Sequence, residues 1–129
     1  MKERRAGYDL HVVRTEDWID SESNPITRLD RDRLIATDST LARSTTDYVE
    51  TTGKDDTIAR YFAIAWNGVA TFWWVGSEVT CKKASNAQVL KLIEMAETLG
   101  ARDVGDDGER YERGKTFVGR LKVMVQRAR

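Results

Sequence analysis

Apolar residues along this chain change their spacing from element to element, and the changes divide it. Tyr8, Leu10 and Val12 alternate with Asp9, His11 and Val13, which predicts a strand. Phe62, Ile64 and Trp66 alternate with Tyr61, Ala63 and Ala65, and a second apolar run ends in Phe72-Trp73-Trp74-Val75. Between these runs stands Asn67-Gly68, a pair that tolerates positive φ at both positions and predicts a tight hairpin. After Gly76-Ser77, alternation resumes from Glu78 to Lys83. Strands near 58–66, 69–75 and 78–83 therefore form an antiparallel meander. Val89, Leu92, Ile93, Ala96 and Leu99 then recur at intervals of three and four, with Gly100 just beyond, so a helix over Asn86 to Leu99 covers the meander.

The remaining segments carry weaker signals. Glu16 to Asn24 reads as an acidic loop apart from Trp18-Ile19. Asn24-Pro25 predicts a helix start, with asparagine as cap and proline in the first helical position. That helix runs to about Thr37, with Ile26, Leu29, Leu34 and Ile35 inward and Arg28, Arg31 and Arg33 in solvent. Asp38 to Thr46 is rich in serine and threonine and reads as a connector, before extended segments at 47–52 and 58–66 flank a turn at Gly53-Lys54-Asp55-Asp56. Ala101 to Tyr111 predicts a short strand or edge hairpin turning at Gly105-Asp106-Asp107-Gly108. In the last fifteen residues Phe117, Val118, Leu121, Met124 and Val125 fit a helix, although Leu121, Val123 and Val125 also alternate; helix is the reading preferred. The expected fold is α+β: one domain over 1–129, a mainly antiparallel meander packed on two or three helices, with 112–129 as a basic C-terminal element.

Trp66, Trp73 and Trp74 place three of the four tryptophans within nine residues, and in a domain of 129 residues such side chains are needed to fill one core. Because neighbouring strand residues face opposite ways, Trp73 and Trp74 cannot both enter it. Charged residues make up 33% of the chain, but 21 basic and 21 acidic groups cancel, which leaves no global field for nucleic acid or an anionic membrane. No apolar run approaches the roughly 20 residues of a membrane span. The single cysteine, Cys81, has no internal disulfide partner, and a cytoplasmic location is the expectation.

Chemically committed residues are few. His11 is the only histidine, with Asp9 two positions back on the same strand face, and no nucleophile stands near it in sequence. A structural or solvent-facing imidazole is expected. Lys82 and Lys83 adjoin Cys81, but no helix N-terminus does, so a packed thiol is expected. One cysteine and one histidine cannot close a tetrahedral zinc set without carboxylates, and Asp103 to Glu109 lacks the alternating ligand spacing of a calcium loop. It reads instead as a glycine-rich turn with solvated acids. No glycine pattern cradles a phosphate. The reading assigns no catalytic residue, metal ligand or cofactor.

Charge is nevertheless segregated. Glu16, Asp17, Asp20 and Glu22 form one acidic segment, and Asp103, Asp106, Asp107 and Glu109 form another, whereas Lys115, Arg120, Lys122, Arg127 and Arg129 make the end of the chain basic. These eight acids are the candidate partner-binding residues, on the argument that acidic loops steer association with a basic protein cleft. Tyr8-Asp-Leu-His, Glu16-Asp-Trp, Ser21-Glu-Ser-Asn-Pro-Ile-Thr27 and Gly105-Asp-Asp-Gly-Glu109 together resemble a group of small uncharacterised bacterial proteins, over most of residues 8–111. The chain departs from that group at Arg31, where an aromatic is expected, and in the basic tail after Tyr111. The resemblance implies a small α+β protein of the immunity type, which neutralises a cognate toxin by binding it. The competing reading is a small-molecule-binding or enzymatic domain whose pocket is built from Trp18, Trp66, Trp73 or Trp74 with His11 nearby.

Overall fold

The computed structural model describes residues 9–117 and 120–126, with side chains from 9 to 113. Eight strands form one sheet: β1 (Asp9–Val13), β2 (Leu41–Thr52), β3 (Ile58–Trp66), β4 (Val69–Trp74), β5 (Val79–Lys82), β6 (Arg102–Gly105), β7 (Arg110–Phe117) and β8 (Arg120–Gln126). Their order is β2-β3-β4-β5-β1-β6-β7-β8, and every pairing is antiparallel. Two helices, α1 (Arg28–Thr37) and α2 (Asn86–Leu99), join a 3-10 helix at Trp18–Ser23. The α+β class and antiparallel meander are as the alternation predicts. The position of β1 is not: it lies between β5 and β6, which are joined through α2, so the first strand of the chain becomes the middle of the sheet.

Local signals account for α2 completely. Ser85 and Gln88 form a reciprocal capping box, and Gly100 closes the helix at φ 64° and ψ 40°. Leu92, Met95, Ala96 and Leu99 pack on Leu10, Val12, Phe72, Trp74 and Val79, joined by Ile26 and Leu34. Asn67 (φ 51°) and Gly68 (φ 86°) make the expected tight turn between β3 and β4.

Elsewhere tertiary bonds override local ones. The first helix starts at Arg28, not Pro25, with Thr27 as its cap in a reciprocal capping box with Asp30. Ile26 is held outside the helix because its amide donates to the carbonyl of Ser77 (2.9 Å), its own carbonyl accepts from Trp74 Nε1 (2.6 Å), and its side chain is wholly buried. Arg31, expected in solvent, is buried with its guanidinium 5.0 Å from the centre of the Trp74 ring. The presumed connector from Asp38 contains the start of β2 at Leu41, in register with Trp66. Its serine and threonine content marks a bulge instead: pairing slips between Arg43 and Tyr48, where Ser44 Oγ accepts from the amides of Thr46 and Asp47. The expected C-terminal helix is strand β8, paired to β7 from Arg110↔Gln126 to Phe117↔Arg120, so the alternating reading of 121–125 prevails. The hairpin from Ala101 is not at the edge: β6 pairs with central β1, and β7 is covered by β8.

Strand alternation sorts the sheet into two faces. Leu10, Val12, Trp74, Val79 and Cys81 face the helices, while His11, Thr80, Trp73 and Val104 stand in one cross-strand row on the opposite face. Of the adjacent pair, Trp74 fills the core and Trp73 lies half-buried behind it.

Candidate functional site

On that opposite face the central strand presents His11, buried against the 3-10 helix. Nδ1 lies 2.7 Å from Glu78 Oε1 and Nε2 lies 2.8 Å from Asp106 Oδ1. Trp18 stacks flat on the imidazole, with ring centres 4.1 Å apart and planes 6° from parallel. Burial alone would lower the His11 pKa, but the hydrogen bonds and charges of Glu78 and Asp106 outweigh it and raise it above the ordinary value. With a carboxylate oxygen at each nitrogen, the geometry favours the charged imidazolium, which can donate through both, over the neutral ring, which can donate through one. A general base needs one nitrogen facing a nucleophile or substrate; here both face carboxylates. The sequence neighbour Asp9 makes no hydrogen bond to the ring, although the charge of His11 acts on its carboxyl. Its amide donates to Asp106 Oδ2 (2.9 Å), its buried Oδ1 is unpartnered, and burial followed by the charge of Asp106 raises its pKa. The two true partners lie 67 and 95 residues away, and nothing in the sequence marks Glu78 as one of them.

This cluster ties three loops together. Trp18 Nε1 donates to the carbonyl of Asp106 (3.2 Å), Glu78 follows the β4–β5 turn, and Ser21 and Ser77 share a buried hydroxyl bond of 2.6 Å. The two acidic segments, far apart in sequence, therefore meet. Glu16, Asp17, Asp20, Glu22 and Asp107 are exposed there. Asp17 also caps the 3-10 helix through the amide of Ile19 (3.1 Å), and Glu16 pairs with Arg102 at 2.7 Å. Amid these acids Ile19 stands 72% exposed.

The second acidic segment divides. Asp106 holds His11 and is only partly accessible, whereas Asp103 and Glu109 are buried and turned to the helix face. Burial withdraws both from any partner surface, and the expectation of a turn with solvated acids holds only at Asp107. Both Asp103 oxygens and Glu109 Oε1 are without hydrogen-bond partners, while Glu109 Oε2 accepts from the Tyr111 hydroxyl at 3.2 Å. Desolvation pushes the Asp103 pKa up to about 8, against a smaller lowering by His11.

Cys81 is buried in the core, and desolvation, then the charges of Asp103 and Asp9, push its thiol up to about 11, far from thiolate chemistry. Two of the four tryptophans lie with His11, Trp18 covering it and Trp73 sharing its face, whereas Trp66 and Trp74 pack with the helix-side core. Among the described residues no group of three or more histidine, cysteine, aspartate or glutamate side chains is arranged to hold a metal ion, and no helix is long and apolar enough to cross a membrane. No protein-family model, curated protein or solved structure matches the chain.

Proposed function

We propose that the protein is a non-catalytic protein-binding module, acting through the face made by the 3-10 helix and the β6–β7 turn, and that toxin neutralisation is its specific form. The observation that carries this reading is the Trp18–Asp106 bond over the Trp18–His11 stack, which joins two acidic loops into one surface around exposed Ile19. An apolar side chain surrounded by charge has the layout of an interface centre with a polar rim. Glu16, Asp17, Asp20, Glu22 and Asp107 form that rim, and its sign calls for a basic cleft in the partner. His11 supports the reading from below: with both nitrogens on carboxylates it stiffens the surface and does no chemistry.

The gene's neighbourhood supplies the partner to test. A toxin encoded beside it should be neutralised on co-expression with this protein. Asp20→Lys with Glu22→Lys should slow association on the order of tenfold at low salt. Ile19→Asp should accelerate dissociation, weakening binding by about 2 kcal/mol or more. A neighbourhood of metabolic enzymes, or association rates indifferent to the charge reversals, would overturn this function.

A further inference from the structure

Across the sheet from the acidic face, a cleft of about 440 Å³ opens between α2 and the β6–β7 hairpin, with Ile93, Ala96, Glu97, Asp103, Tyr111 and Arg113 in its lining. Its size is that of small-molecule sites, roughly 300–1,000 Å³. Asp103 stands in register between Val12 and Tyr111, is 1% exposed, and leaves both carboxyl oxygens unpartnered. Native folds pair nearly all buried carboxyl groups, so two bare oxygens on one residue demand a reason. The other donors of the lining are turned or committed elsewhere: Arg102 bonds Glu16, and Arg110 stands in register with Val104 on the opposite face of the sheet. Tyr111 donates its hydroxyl to Glu109, and Arg113 is locked to Glu97 by two parallel bonds, 3.0 Å from Nε and 2.9 Å from Nη2.

We propose that this cleft binds a small flat molecule bearing two parallel N–H donors, of the amidine or guanidine class, which pairs with the two oxygens of Asp103 and lays its body between Tyr111 and the Ile93–Ala96 wall. Two donors on one planar group match the spacing of a carboxylate and bond it in parallel. Apolar side chains and an aromatic ring suit a flat body, and the carboxyl discriminates against an anion. The elevated proton affinity of Asp103 fits this role: the empty carboxyl holds a proton to about pH 8, and a cationic donor pair displaces it into solvent.

Benzamidine is the probe, titrated into the full chain by calorimetry and by amide chemical shifts, with benzoate as the anionic control. Benzamidine should saturate, shift amides of α2, β6 and β7, and release about one proton per site, so that affinity rises roughly tenfold per pH unit below about 8. Benzoate should not bind. Asp103→Asn should weaken benzamidine at least tenfold, and Asp103→Leu should abolish binding while the chain stays folded. Absence of saturable binding, affinity independent of pH, equal binding of benzoate, or full affinity in Asp103→Asn would overturn the proposal. The pH profile of the wild-type chain decides the matter even if neither variant folds.

Discussion

His11 shows how a residue's neighbours, rather than its type, assign its role. Held by Glu78 and Asp106 and covered by Trp18, it is worth more charged than neutral. Replacing it with glutamine should cost about 1–3 kcal/mol, because a carboxylate is left without its donor. Its folded pKa is raised, so its stabilisation is fully present below the ordinary value of 6.5 and fades as pH rises through the folded one. Asp103 acts in the same direction over a different window. Its native form keeps a proton between 3.8 and about 8 that the unfolded chain has released, so stability falls across that range as pH climbs. Urea unfolding of the wild-type chain from about pH 5 to about pH 9 should therefore show declining stability. Asp103→Leu should flatten the decline below about pH 8, and His11→Gln the part above about pH 6.5; a level wild-type profile contradicts both assignments. Asp30 has the opposite sign. Bonds from Arg14, then from Thr27, hold its carboxyl down to about 2, so its contribution is present above 3.8 and lost only as pH falls through 2.

Elements built from adjacent signals were legible, and those bent by distant contacts were not. The three-and-four spacing and Gly100 lie within or beside a single helix, and α2 begins and ends where they put it, with Ser85 and Gln88 forming its capping box. Gly100→Ala should cost roughly 1–2 kcal/mol, read from denaturant midpoints, because φ 64° forces a Cβ into the left-handed region. Asn24-Pro25 is as good a start signal as Ser85, yet it fails, because Ile26 is drawn onto Ser77 and Trp74 and the true cap is Thr27. Thr27→Ala should cost about 1 kcal/mol. Trp74→Ala removes both core volume and the donor to Ile26 and should cost about 3–5 kcal/mol, with Leu92→Ala at about 2–5. Losses under about 1 kcal/mol at both sites would mean that the core is not where the sheet and α2 meet.

At the scale of the molecule, the sheet has two open edges among the described residues, β2 and β8. The bulge at 44–47 interrupts β2 and blunts its edge against pairing with another chain. A chain ending at residue 117 would lack β8 and leave β7 as a long unpaired edge; light scattering should show it self-associating, and unfolding should show it weakened. A truncated chain that stays monomeric and as stable as the full one would make β8 dispensable. By itself the sequence determined what is written in neighbouring residues: the class, the Asn67-Gly68 hairpin, the limits of α2, the split between Trp73 and Trp74, and two acidic segments. Tertiary structure decided that β1 lies mid-sheet, that the chain's end is a strand, that Glu78 and Asp106 hold His11, and that Asp103 and Glu109 turn inward while Ile19 and its neighbouring acids face solvent. The division follows from range: turns and caps depend on dihedrals and bonds within a few residues, whereas strand order and burial depend on which distant surfaces exclude water from one another.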